Sequence, residues 1–88
     1  MHEAIIEPPA ERFILLLRKE EQIKLLDAIE QLENNPRLGK ELVGRLQGLR
    51  SLRMDSYRII YKVEDLKLLV LVLRIGHREN IYAQKMEK

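Results

Sequence analysis

The chain has 88 residues and a formal net charge of +2, with no cysteine and only two histidines. This length allows one domain, and we expect a single domain over residues 1–88. Without cysteine there are no disulfides or thiolate metal sites, and two histidines far apart do not favour structural zinc, so we expect no metal and no cofactor.

The N-terminal part of the sequence predicts one short strand and two helices. Glu3–Glu7 has the composition of a strand that ends at two prolines. Ala10–Arg18 favours a first helix, because proline is tolerated at a helix N-terminus. Apolar residues recur at helical spacing within Glu20–Glu33, and Asn34-Asn35-Pro36 ends this second helix. We expect the two helices to form an antiparallel hairpin that covers one face of a sheet.

The second part of the sequence predicts three strands. Residues 37–48 form a connection punctuated by glycines, and the strand patterns Leu49–Met54, Tyr57–Val63 and Lys67–Ile75 follow it. The last pattern is almost wholly apolar, which predicts a central strand covered on both faces. The order β-α-α-β-β-β predicts an α+β fold, with the helical hairpin packed on one face of a mainly antiparallel sheet.

Charge is divided unevenly between these parts. Residues 1–36 carry eight acidic and four basic side chains, whereas residues 37–88 carry six acidic and twelve basic ones. A basic half that also reads as sheet is a candidate surface for a phosphate backbone, although the same charges could simply solvate a small protein. The apolar run Phe13–Leu17 is too short to cross a bilayer and lacks the layout of a signal peptide. We therefore expect a cytoplasmic protein without membrane contact.

The predicted hairpin brings two arginines together. Asp55 and Ser56 fit a two-residue turn, which would place Arg53 opposite Arg58 on the same face of the sheet. The apolar residues of the hairpin then share the other face, which would meet the helices. Like charges directly opposite each other cost stability, so a bound anion is one reason for the pair, and two arginines splayed into water are the alternative. A slip of one residue in register would separate them.

A second group of polar residues follows the last predicted strand, from Gly76 to Tyr82. It includes His77 and Arg78, which the end of that strand would bring to the margin of the sheet. The pattern alone is a weak signal, because a late tyrosine is more often a hydrophobic plug and a lone histidine is more often solvated than functional.

The segments Leu52-Arg53-Met54, Ser56–Tyr61 and Gly76–Tyr82, in this order of elements, resemble the RelE/ParE superfamily of bacterial and archaeal toxins. The resemblance covers nearly the whole chain. It implies a ribosome-dependent endonuclease that cuts messenger RNA and inhibits translation, with a cognate RelB-like antitoxin as its partner. Two alternatives stay open, namely a ParE-type gyrase inhibitor that is not an enzyme, and a member that binds antitoxin or RNA without cutting.

The same resemblance implies a set of site residues. The implied catalytic residues are Arg53, Arg58, Arg78 and Tyr82, and Arg50 and His77 are candidate RNA contacts. Ser51 departs from the family pattern, because the nucleases commonly carry a lysine two residues before the position of Arg53.

Cutting RNA without a metal uses the 2′-hydroxyl as nucleophile, and it needs a base, an acid and positive charge on the phosphorane. Arginine forks suit the last role. Three nearby arginines would favour the anion of Tyr82 as the base. His77 could act as the acid or stack on a nucleobase.

Overall fold

The computed structural model describes residues 1–78 and residue 81 of the chain. These residues form five strands and two helices: β1 (Glu3–Ile6), α1 (Pro8–Leu15), α2 (Lys19–Asn34), β2 (Lys40–Glu41), β3 (Arg50–Met54), β4 (Tyr57–Glu64) and β5 (Leu69–His77). The strands pair in the order β1-β5-β4-β3-β2. β1 runs parallel to β5, and every other pair is antiparallel. This confirms the predicted α+β fold and adds the short strand β2 to it.

Both ends of α1 differ from the bounds that the sequence predicts. α1 begins at Pro8 rather than Ala10, because the first positions of a helix have no internal partner for their N–H groups and proline loses nothing there. It ends at Leu15, and Arg18 is an extended residue that precedes α2. The buried residues of α2 recur every three or four positions, so that one stripe of the helix faces the sheet; they are Leu25, Ala28, Ile29 and Leu32.

The main core lies between the helices and one face of the sheet, which we call the helix face. Alternate residues of β4 enter this core, as the two-residue period of a strand requires. Its buried members are Ala10, Ile14, Leu25, Ala28, Ile29, Leu32, Tyr57, Ile59, Tyr61, Val70, Val72 and Ile75. The opposite face, which we call the open face, carries a smaller buried cluster of Leu49, Ile60 and Ile81.

The apolar sequence of β5 led to one wrong expectation. β5 is an interior strand, but it is not covered on both faces along its length. Val70 and Val72 are fully buried on the helix face, whereas Leu69 and Leu71 are only half-buried. The helices cover one face, and among the residues that the structure describes the small cluster on the other face includes Leu73 of β5 alone.

Tyr61 ties the connection after α2 to the sheet. Its hydroxyl donates to the carbonyl of Pro36 at 2.7 Å and accepts from the N–H of Gly39 at 2.8 Å. A Cβ atom on residue 39 would lie 2.6 Å from Tyr61 Oη and 2.9 Å from the carbonyl oxygen of Ser51, so this approach requires glycine. The contact holds the residues of β2 beside β3.

A cluster around Asp65 joins the N-terminus, the connection after α2 and the turn after β4. One carboxylate oxygen lies 3.1 Å from Nε2 of His2, and the other accepts from Nη2 of Arg37 at 2.6 Å. The hydrogen bond from Arg37, followed by that from His2, holds the pKa of Asp65 below its ordinary value. The folded state therefore favours the ionised carboxylate.

This lowered pKa predicts a pH dependence of stability. A carboxyl group whose pKa is lowered by folding stabilises the protein above its ordinary pKa, and that contribution is lost as the pH falls through the lowered value. We expect wild type to exceed Asp65→Asn in unfolding free energy at neutral pH, and the difference to shrink below about pH 4. Denaturant titrations across pH measure this, with the exposed Asp27→Asn as control. A difference that stays constant down to about pH 2 would contradict the assignment.

Candidate functional site

The β3–β4 hairpin has the register that the sequence predicts. Met54 pairs with Tyr57, and Arg53 pairs with Arg58. Asp55 adopts a left-handed φ of 54°, so the two-residue turn forms without glycine, because a short polar side chain tolerates this region. The facing pair of arginines is therefore confirmed, and it lies on the open face, away from the helices.

Ser51 holds one member of this pair. Its side chain is 4% exposed, and its Oγ accepts a hydrogen bond from Nη1 of Arg58 at 3.2 Å. Arg58 is half-buried, whereas Arg53 is exposed. The serine thus positions a guanidinium, which a lysine in its place would instead repel.

The third arginine of the predicted set lies at the same end of the sheet. Gly76 of β5 pairs with Arg58, and as a glycine it contributes no side chain of its own at that position. Two residues later, the backbone N–H of Arg78 donates to the carbonyl of Ser56 in the hairpin turn at 2.8 Å. This bond fastens the chain at Arg78 to the turn between Arg53 and Arg58. The side chain of Arg78 is exposed.

Arg50, a predicted RNA contact, does not join this group. It pairs with Tyr61, which belongs to the helix-face core. Its guanidinium donates to the carbonyl of Gly39 at 2.7 Å and to the carboxylate of Glu41 at 2.9 Å. Arg50 therefore braces the connection after α2, and a role in RNA binding would need a surface other than the open face.

His77, the other predicted RNA contact, also lies on the helix face. It pairs with Tyr57, and the two ring centroids are 5.3 Å apart. The ring of Phe13 lies 5.9 Å from His77 in an edge-to-face arrangement. The imidazole is thus part of an aromatic cluster on the opposite side of the sheet from Arg53 and Arg58.

A β-bulge explains why the strand pattern did not reveal this placement. Ile60 pairs with Arg74 and Tyr61 pairs with Val72, so Leu73 is an extra residue in β5. The extra residue reverses the alternation beyond it. Residues 75 and 77 consequently face the helices, and residues 74 and 76 face the other way.

The bulge also adds a cation to the open face that sequence reasoning missed. Arg74 pairs with Ile60, which belongs to the open-face cluster, and its side chain is half-buried. The available signal was a single charged residue within an otherwise apolar strand. Lys40 was missed as well, because a strand of two residues leaves no pattern; it pairs with Ser51 from β2.

Two of the three tyrosines of the chain lie within the described residues. Tyr57 and Tyr61 are buried on the helix face, and burial raises the pKa of both phenols. The hydroxyl of Tyr61 is engaged in two hydrogen bonds with the connection after α2. Tyr82, the predicted catalytic tyrosine, lies outside the described residues.

The described residues were also compared with what a metal site and a membrane-spanning helix require. Within residues 1–78 and 81, no three His, Cys, Asp or Glu side chains come together in the way that a metal site requires. No helix in that part of the chain is both long and apolar enough to cross a membrane.

The fold is that of the RelE toxins. The isolated RelE toxin of E. coli superposes with a TM-score of 0.76 at 20% identity, covering 94% of this chain and 93% of that one. The toxin–antitoxin complex RelBE2 of Mycobacterium tuberculosis contains a chain that superposes with a TM-score of 0.81 at 28% identity, covering 88% and 98% of the two chains.

Residues 4–82 match the family described as ParE toxin of type II toxin-antitoxin system, parDE. Since the match covers nearly the whole chain, the chain belongs to this family, which confirms the resemblance to the RelE/ParE superfamily. Toxin RelG of Mycobacterium tuberculosis (strain ATCC 25618 / H37Rv) is 41% identical over 46 residues, 52% of this chain and 53% of that protein. The chain thus spans about half the length of the curated relatives that it matches.

The facing arginines predict a gain in stability when one of them is neutralised. We expect Arg53→Gln to raise the unfolding free energy of the free protein by about 0.2–1 kcal/mol at low salt, because it removes a like charge directly opposite Arg58. The gain should decline as salt screens the pair. Denaturant titrations at two ionic strengths measure it. Lys67→Gln, which removes an exposed charge outside the hairpin, should bring no such gain; a destabilised Arg53→Gln would contradict the prediction.

Proposed function

We propose that this protein is the toxin of a type II toxin–antitoxin system and that it cuts messenger RNA on the ribosome without a metal ion. The observation that carries the proposal is the facing pair of Arg53 and Arg58 on the open face, with the chain at Arg78 fastened to the same hairpin turn. Two like charges held side by side favour a bound polyanion, and family membership makes RNA the leading candidate.

These positive charges suit the cleavage of RNA by its own 2′-hydroxyl without a metal ion. The 2′-hydroxyl of one nucleotide attacks the adjacent phosphorus while a base removes its proton. The bond from phosphorus to the 5′ oxygen then breaks, that oxygen takes up a proton, and a 2′,3′-cyclic phosphate remains. Guanidinium groups pair bidentately with phosphate oxygens and stabilise the extra negative charge of the phosphorane. Donors placed in advance for this purpose each contribute several kcal/mol in a site that excludes water.

The resemblance to the RelE nucleases implies that a late tyrosine takes part in cleavage, and we infer that it is the base. Three tyrosines occur in the chain, and burial holds the phenols of Tyr57 and Tyr61 in their neutral form on the helix face. We therefore assign the base to Tyr82, whose ionised form nearby arginine side chains would favour if it lies within the site. The position of His77 within the aromatic cluster argues against it as the acid.

Activity of defined variants tests this assignment. We expect Tyr82→Phe to lower cleavage of ribosome-bound messenger RNA by about 10²–10⁴-fold, as loss of a general base does. Arg58→Ala and Arg78→Ala should each lower it by about 10²–10³-fold. Mapping of RNA 5′ ends after induced expression provides the measurement, and Lys67→Ala, at an exposed position outside the site, is the control. Full-rate cutting by both Tyr82→Phe and Arg78→Ala would mean that the site is elsewhere.

The family match also supports a second candidate, a ParE-type inhibitor of gyrase that is not an enzyme. The fold hosts both activities and does not distinguish them. The same induction experiment does. Cuts phased with codons support the nuclease, DNA damage signalling with intact RNA supports the gyrase inhibitor, and neither effect with retained binding supports a member that binds without cutting.

A cognate RelB-like antitoxin is the proposed partner. Two features of this chain favour such a partner: the basic open face, and the exposed apolar side chains of the helix pair, which include Leu15, Leu16, Ile23 and Leu26. An acidic or amphipathic segment that covers either surface would hide charge or apolar area. On folding, a chain of this size buries a smaller fraction of its surface than a larger domain does. Cover by a partner would therefore contribute to its stability.

Thermal unfolding tests the partner. We expect the melting midpoint of the co-expressed complex to exceed that of the free protein, because a ligand that binds only the folded state stabilises it by mass action. At 100-fold excess over the dissociation constant this amounts to about 2.7 kcal/mol. Wild type mixed with an unrelated acidic protein serves as the control. Identical midpoints for complex and free protein would count against the proposal.

A further inference from the structure

A cleft of about 410 Å³ lies at the β2 edge of the open face, beside the arginine pair. It is lined by Lys40, Glu41, Leu42, Val43, Ser51 and Arg58. The cleft shares Arg58 with the proposed cleavage site, but most of its lining comes from β2 and the two residues after it. No residue of that segment is among the site residues predicted from the sequence.

Two cationic side chains, Lys40 and Arg58, line this cleft on either side of Ser51. Arg58 donates to Ser51 Oγ from β4, and Lys40 pairs with Ser51 from β2. Directly opposed residues point to the same face, so Lys40 stands on the open face. None of the ion pairs found among residues 1–78 includes Lys40. Its ammonium group is therefore available to an anion in the cleft.

The negative charge of Glu41, which also lines the cleft, is shared with Arg50. Its carboxylate accepts from Nη2 of Arg50 at 2.9 Å. Because β2 alternates, Glu41 follows Arg50 towards the helix face while Lys40 stays on the open face. Among the described lining residues Glu41 is the one acidic group, and its ion pair with Arg50 offsets part of its negative charge.

The rest of the cleft is apolar. Leu42 packs against the buried cluster of the open face, and the adjacent Val43 is 86% exposed. An exposed valine next to a partly buried leucine presents apolar surface in the same cleft that Lys40 and Arg58 line. A phosphate with an attached base is a ligand that uses both kinds of surface, since the base has an apolar face and the phosphate a negative charge.

The spacing of the strands indicates which phosphate Lys40 would contact. β2 and β4 are separated by β3, so their backbones lie about 10 Å apart at the usual spacing of neighbouring strands. Such a span favours contacts to successive phosphates of one strand rather than to a single phosphate. Lys40 would then extend the arginine row along the RNA.

We propose that this cleft is a nucleotide subsite of the RNA-binding surface, in which Lys40 contacts a phosphate next to the one held by Arg53 and Arg58, and Val43 contacts the attached base. This inference rests on the proposed function as an RNA-cutting toxin. The ligand class is single-stranded RNA, and Lys40 is a substrate-binding residue rather than part of the chemical step.

The test uses binding, separately from cleavage. A fluorescein-labelled oligoribonucleotide with 2′-O-methyl groups lacks the nucleophile, so it is bound but not cut. Fluorescence anisotropy of the full chain with this probe, across a range of salt concentrations, yields both the affinity and its salt slope. Each lost phosphate contact lowers the slope of log K against log salt by about 0.7 for single strands.

Four variants distinguish the two contacts. Lys40→Gln should bind about threefold to tenfold more weakly and lose about 0.7 from the salt slope. Lys40→Arg should retain the slope, because it keeps the charge. Val43→Ser should weaken binding without changing the slope. The matched control is Lys67→Gln, an equal charge change at an exposed residue of the turn after β4, which should leave both quantities unchanged. Thermal unfolding of each variant checks that it folds.

The outcomes separate this inference from the proposed function. If wild type cuts ribosome-bound RNA but Lys40→Gln binds the probe like Lys67→Gln, the subsite is wrong and the function stands. If Lys40 contributes to the slope but wild type never cuts, the cleavage proposal is wrong and the subsite stands. A Lys40→Gln variant with unchanged RNA binding but weakened antitoxin binding would assign the cleft to the antitoxin interface and overturn the inference.

Discussion

The register of the β3–β4 hairpin assigns the side chains of the sheet to its two faces. A two-residue turn at Asp55 and Ser56 fixes it, and the period of two along each strand then assigns every side chain to a face. Tyr57, Ile59 and Tyr61 all reach the core under the helices in this register. A shift of one residue would expose them and would lose several kcal/mol of burial, since each large apolar side chain contributes roughly 1.5–3 kcal/mol. The core thereby holds Arg53 and Arg58 together on the opposite face.

Polar side chains have different roles on the two faces of the sheet, because the helices pack on one face and not on the other. On the helix face, polar groups are used for structure: Tyr61 and Arg50 fasten the connection after α2, and His77 packs among aromatic rings. On the open face, Ser51 orients Arg58 instead of adding a positive charge. A buried hydroxyl that accepts from a guanidinium costs less than a lysine at the same place, because it adds no repulsion to a row that already opposes two arginines.

Much of this arrangement was predictable from local sequence patterns. The helices, β3, β4 and the facing arginines follow from apolar spacing and from a turn between adjacent segments. The prediction failed where the structure depends on contacts between distant parts of the chain. β2 has only two residues, and the ties of Tyr61 and Arg50 to residues 36–41 define its place. The burial of β5 was overestimated, because an apolar sequence does not reveal how much of a second layer exists to cover it.

Local sequence patterns suffice for each helix and strand, for the hairpin and for the opposition of Arg53 and Arg58, because each depends on residues close together in the chain. Which polar residues of β5 share that face depends on how the whole sheet is assembled. The bulge at Leu73 reverses the alternation, so that Arg74 and Gly76 lie on the open face and His77 lies with Phe13 and Tyr57. A bulge arises from the fit between neighbouring strands over the whole sheet, and no period within β5 alone encodes it. The same holds for Lys40, whose place beside Ser51 exists only once β2 has paired with β3.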